Sequence, residues 1–158
     1  MSLEFLKFLH IIGACVLLGT GAGIAFFMLI ANRRGTAAEI AHVAGIVVLA
    51  DFLFTATAVI VQPVTGWMLA RAAGWPLTEP WILLSLGLYI MIGLFWLPVV
   101  WIQMQLHHMA QSAAASGTGL PDRYNRLYRI WLICGFPAFA AVMAILWLMI
   151  SKPDIRLF

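Results

Sequence analysis

The stretch VAGIVVLADFLFTATAVIVQPVTGWMLA, Val43–Ala70, decides the fold. A bilayer core of ~30 Å needs about 20 apolar residues in a helix, and this run supplies more. It also carries Asp51 and Gln62. Such groups are too costly in hydrocarbon to face lipid, so one side of the helix must turn toward other spans.

Three further runs have the same character. Phe5–Ala31 is broken only by Lys7 and His10 near its start, and Trp81–Ile102 and Ile130–Ile150 complete the set. Backbone groups cannot go unpaired in lipid, and open sheet edges would leave them so; the spans are therefore helices. The expectation is an all-α integral membrane four-helix bundle. It forms one transmembrane domain over residues 1–158, with spans at about 5–31, 43–70, 81–102 and 130–150 in up-down topology. Asn32–Glu39, Arg71–Pro80 and Gln103–Arg129 become connectors, the last holding the flexible run SAAASGTG at 112–119. The first apolar run is too long for the ~7–15 residue core of a cleaved signal, and it ends in Asn32-Arg33-Arg34. It reads as a retained span.

Composition agrees. Of 158 residues, 64% are hydrophobic and 9% charged, against about 25% charged in a soluble domain. Lipid is the solvent that tolerates such a surface, so the bilayer is the first partner. The net charge of +3 is spread over short connectors; it makes no basic face for nucleic acid. Arg33, Arg34, Arg123, Arg126 and Arg129 fall on one side, Lys7, Arg71, Lys152 and Arg156 on the other. Cytoplasmic connectors carry the excess of Lys and Arg, which places both termini in the periplasm of a bacterial inner membrane. Trp67, Trp75, Trp81 and Trp147 mark one interface, Trp101 and Trp131 the other. Cys15 and Cys134 lie at different depths of antiparallel spans and are expected to stay unpaired.

Ionisable groups inside spans are functional candidates. Positions 10, 13, 14, 17, 20, 21 and 24 share one helix face, reading His, Gly, Ala, Leu, Thr, Gly, Ile. Small residues mark close helix approach, so His10 points into the bundle. There it either ligates haem iron or another metal, or hydrogen-bonds a neighbouring helix. On the second span Asp51, Thr55, Gln62 and Thr65 or Gly66 form a polar stripe, with Ala58 between them and Pro63 kinking the helix. The stripe climbs from mid-membrane toward the depth of His10. A carboxyl there without a cation partner is a candidate proton carrier; the same stripe also serves to knit helices together. His42 and the segment Met104–Met109, with His107 and His108, offer soft and imidazole ligands suited to Cu(I), but no acidic or cysteine partner completes that site. Paired carboxylates, a phosphate loop after a strand and a Ser/His/Asp set are all missing, so no catalytic residue is assigned. Gly19, Gly21 and Gly23 read as helix-packing residues.

The strings LKFLHIIGA (Leu6–Ala14), GTGAGIAFFML (Gly19–Leu29), LADFLFTATAVIVQPVTG (Leu49–Gly66), TEPWILLSLGLY (Thr78–Tyr89), WLPVVWIQ (Trp96–Gln103) and WLMISKP (Trp147–Pro153) cover nearly the whole chain. They resemble an uncharacterised bacterial family of integral membrane proteins, the domain of unknown function 2269. That resemblance implies a fold and a location, not an activity. Lys7-Phe-Leu-His10-Ile-Ile also resembles the first span of HemJ-type protoporphyrinogen oxidases, four-helix proteins that bind b-type haem, and Arg129, Pro137 and Lys152-Pro153 are similar to their last span. By that likeness His10 is the haem or porphyrin ligand. The third span here has Ser85 and Tyr89 in place of that family's basic groups, so the likeness implies haem binding rather than protoporphyrinogen oxidation. CopD-type copper proteins begin a span with a similarly placed histidine.

The leading expectation is a haem b or tetrapyrrole site through His10, in a redox or tetrapyrrole-handling role. Gln62, Glu79, Trp81 and Lys152 line it, and Lys152 or Arg71 pairs with propionates. The rivals are a non-enzymatic subunit docked on another membrane protein or on further copies of itself, and a copper- or proton-linked carrier using Asp51.

Overall fold

A computed structural model describes residues 2–155. All its regular elements are helices: α1 Leu3–Arg34, α2 Ala37–Ala50, a five-residue π-helical turn Asp51–Thr55, α3 Ala56–Ala72, α4 Pro80–Ser116 and α5 Asp122–Ser151. The α2, π and α3 segments run on as one rod, Ala37–Ala72, and the chain has 4 helices long and apolar enough to cross a membrane.

Local chemistry sets the ends. Ser2 caps α1 by accepting from the Phe5 N–H at 3.3 Å. Gly35 closes it against the Ala31 carbonyl, where a Cβ would lie 2.6 Å from that oxygen. Thr36 and Glu39 then form a capping box, the Thr36 N–H donating to Glu39 Oε2 at 2.6 Å and the Glu39 N–H to Thr36 Oγ1 at 3.4 Å. With so short a turn, α2 must run back along α1. Pro80 opens α4, where a missing N–H costs nothing. Gly117, left-handed at φ 64, ends it.

The connectors are shorter than the sequence suggested. Gln103–Ser116 continues α4 instead of leaving the helix near Ile102. Nothing in that segment breaks a helix before Gly117, and its alanines are the best helix formers. It also has a surface to pack on: Leu106, Ala110 and Ala113 are buried. At 37 residues, α4 is ~55 Å long, well beyond the hydrocarbon core.

The two ends of the bundle differ. At the end holding the α1–α2 and α4–α5 turns and the arginines (the arginine end), Met28, Ile40, Ala44, Val47, Leu106, Tyr124 and Trp131 belong to one buried core. Tyr124 donates to Asn32 Oδ1 at 2.8 Å, and Asn32 Nδ2 donates to the Met28 carbonyl at 2.8 Å, tying α5 to α1. At the opposite end, which carries the chain termini, the core is small: Ala70, Trp81 and Ile82 with Leu148 and Met149. There α3 packs on α1 and makes no extended contact with α4 or α5. Phe8, Ile11, Phe26, Phe27, Ile60, Ile90, Leu94 and Ile133 face outward, as a lipid-solvated surface requires. Trp67, Trp75, Trp101 and Trp147 are exposed, whereas Trp81 and Trp131 turn inward. Cys15 and Cys134 are free.

Candidate functional site

Between the splayed helices lies a cavity of about 470 Å³. Its walls are mostly apolar, from Leu17 and Leu18 on α1 through Leu86 and Ile92 on α4 to Phe139 and Val142 on α5. His10, Asp51, Thr55, Gln62, Ser85, Tyr89, Trp96 and Gln103 also line it. Size and lining match those of small-molecule sites, which are apolar with a few placed polar groups.

The stripe on the second span faces inward: Asp51, Thr55, Ala58, Gln62 and Thr65 are all buried. At its terminal end it meets α1. Gln62 Nε2 donates to the His10 carbonyl at 2.7 Å, and Gly13 is where α1 makes room, since a Cβ there would collide with the Gln62 amide. The His10 ring lies on Gly66, 3.1 Å from where a Cβ would stand.

The tautomer of His10 follows from its partner. His10 Nδ1 and Thr65 Oγ1 are 3.0 Å apart. Thr65 Oγ1 is also 2.8 Å from the Val61 carbonyl, which can only accept, so the single hydroxyl proton lies on that line. The hydroxyl therefore accepts from His10, Nδ1 carries the proton, and the Nε2 lone pair is left bare. Histidine ligands to metals are oriented in this way, one ring nitrogen donating to a fixed partner.

Pro63 explains a second contact. It has no N–H, so the Val59 carbonyl one turn earlier loses its helical partner. Tyr89 of α4 donates its hydroxyl to that carbonyl. Farther toward the arginine end, Trp96 Nε1 donates to Asp51 Oδ1 at 3.3 Å. The helix is widened here: the Ala56 N–H bonds to the Asp51 carbonyl five residues back. Single π turns of this kind recur at functional sites.

Several polar atoms on the cavity have no partner: Asp51 Oδ2, Thr55 Oγ1, Gln103 Oε1 and Trp131 Nε1. Each unsatisfied buried group costs about 1–3 kcal/mol.

Of the residues singled out in the sequence for a cofactor, His10 and Gln62 come together on the cavity. Trp81 and Lys152 come together elsewhere, with Lys152 Nζ 5.3 Å from the Trp75 ring centroid and 5.9 Å from that of Trp81. This group sits just beyond the terminal end of the cavity, three residues after Met149 in α5. Arg71 lies over Trp67 at 5.2 Å. Asp51 and Thr55 line the cavity but stand ~21 and ~15 Å along the helix from Thr65, at 1.5 Å per residue. His42 and His108 are exposed. His107 donates Nδ1–H to the Ala41 carbonyl at 3.0 Å and lies on Gly45. Among the described residues no three His, Cys, Asp or Glu side chains converge; a haem iron held by one imidazole asks for no such group.

Fold and cavity together define the chain as a four-helix integral membrane protein with a largely apolar central chamber. It belongs to the family described as predicted integral membrane protein (DUF2269), which it matches over residues 4–153. Neither a curated protein nor a solved structure matches it; the likeness to HemJ-type and CopD-type proteins therefore rests on the short strings quoted above.

Proposed function

We propose that this protein binds haem b, or a related tetrapyrrole, at the terminal end of the cavity, with His10 Nε2 as the iron ligand, in a redox or tetrapyrrole-handling role. The observation that carries this reading is the bare Nε2 of an imidazole whose other nitrogen is held by Thr65, at a largely apolar cavity of about 470 Å³. A flat macrocycle needs apolar walls, and the cavity supplies them. Its propionates need cations, and Lys152 and Arg71 stand at the same end, each resting on tryptophan rings. Bound haem would supply a one-electron couple. The chain's own part is to fix the imidazole, exclude water and balance the carboxylates.

The same reading places the chain in a bacterial inner membrane with periplasmic termini, supported by the five arginines at the opposite end. A reporter enzyme that is active only in the periplasm, fused after the last helix, is expected to be active.

The test is an absorption spectrum of detergent-purified protein from haem-replete cells, oxidised and reduced. A Soret band that His10→Ala abolishes is expected. Protein without that band, or a band unchanged in His10→Ala, overturns the proposal; stoichiometric copper in elemental analysis would reassign the imidazole to copper.

A further inference from the structure

The unpartnered polar atoms at the other end of the cavity are not used by the His10 site. Asp51, Thr55, Gln103 and Trp131 are 4%, 8%, 3% and 5% exposed, and all four line the chamber. Their free atoms are Asp51 Oδ2, Thr55 Oγ1, Gln103 Oε1 and Trp131 Nε1. Folded chains bury few polar groups without partners, and a cluster facing one space calls for an occupant.

Chemistry narrows the occupant. Trp131 Nε1 can only donate and Gln103 Oε1 can only accept, while the Thr55 hydroxyl does both. An occupant that satisfies them carries hydroxyl or carbonyl oxygen. Neither lysine nor arginine lines the chamber, so a phosphate or carboxylate head would be buried without a counter-charge. The head is uncharged. The remaining walls are apolar, which suits a hydrocarbon body lying along the chamber toward His10. The open side between α3 and the α4–α5 pair faces the acyl chains, from which such a molecule would enter.

The site is also built. The π turn begins at Asp51 and ends at Thr55, and Trp96 holds Asp51 Oδ1, leaving Oδ2 free. We infer that Asp51, Thr55, Gln103 and Trp131 form a head-group subsite for an uncharged, lipid-soluble molecule with a hydroxyl or carbonyl head. Two sources share that chemistry: a quinone or quinol, and a long-chain or isoprenoid alcohol. The subsite is independent of what His10 holds.

The experiment measures equilibrium binding to the full chain in detergent micelles. Decylubiquinol and farnesol are the probes, with palmitate as the charged control and hexadecane as the headless one. The expected result is saturable, one-to-one binding of at least one probe, at least tenfold tighter than either control. Tighter binding of decylubiquinol assigns the ring head, tighter binding of farnesol the alcohol. Asp51→Leu and Gln103→Leu are each expected to weaken binding about tenfold. Both replace an unpartnered group by an apolar one, so thermal stability should hold or rise, which separates lost recognition from lost folding. His10→Ala should bind the probe unchanged, which keeps this test apart from that of the haem site. Absence of saturable binding in wild type, equal binding of palmitate or hexadecane, or full affinity in both leucine variants would overturn the subsite and leave water as the partner of these groups.

Discussion

His107 at the arginine end and His10 at the terminal end make the same local contact. Each crosses to a neighbouring helix, lies on a glycine there, Gly45 or Gly66, and donates from Nδ1 at 3.0 Å. Their surroundings differ. His107 stands among residues of the close-packed core, with Ala41, Ala44 and Leu106 beside it in structure or sequence. His10 opens onto a chamber. A histidine on a glycine is thus a generic way to bring two apolar helices together, and the free space beside it decides whether the second nitrogen has anything to meet.

The sharpest way to break this comparison is spectroscopic. In haem-replete protein His10→Ala should abolish the Soret band, whereas His107→Ala should keep it at full height; equal effects would erase the distinction between the ends. Next in size is a packing effect. Gly13→Val drives a side chain into the Gln62 amide, while Gly19→Val meets open space. Unfolding in mixed micelles should show the first destabilised by about 1–3 kcal/mol and the second nearly unchanged. A smaller effect compares two tyrosines. Tyr124→Phe leaves Asn32 Oδ1 without its donor in a closed core and should cost about 1 kcal/mol. Tyr89→Phe frees the Val59 carbonyl beside a chamber that water can enter. It should cost less, about 0.6 kcal/mol as for an average hydrogen bond between membrane helices. If Tyr89→Phe is the more damaging, the chamber is drier and tighter than its volume suggests.

The spans were legible because hydrocarbon imposes one rule along the whole chain, and Val43–Ala70 obeys it with its polar groups on one stripe. The inward direction of His10 was legible too, from the small residues that share its face. The extent of α4 was not. Gln103, His107 and His108 look like the end of a membrane run, yet Leu106, Ala110 and Ala113 pack against α2 whatever solvent surrounds them. Tyr89, Trp96, Gln103 and Trp131 were missed as chamber residues, since the register between two helices is written on neither alone. One signal did exist: Pro63 frees a carbonyl, and a freed carbonyl in hydrocarbon demands a donor from another span. The split of Trp81 and Lys152 from His10 and Gln62 follows from the tryptophan rings, which hold the lysine at the chain's end of the bundle.

The widened turn at Asp51–Thr55 has one more consequence. Each residue of a helix advances the side chains by about 100°, so one residue accommodated in a wide turn sets the angular phase of everything after it. Deleting a single residue there would let the turn close and swing Gln62, Thr65 and Gly66 around toward lipid. Ala41, Ala44 and Val47, on the near side, would stay where they are. Half of one rod is therefore indexed independently of the other half, and the direction the chamber wall faces is a property of five residues at its middle.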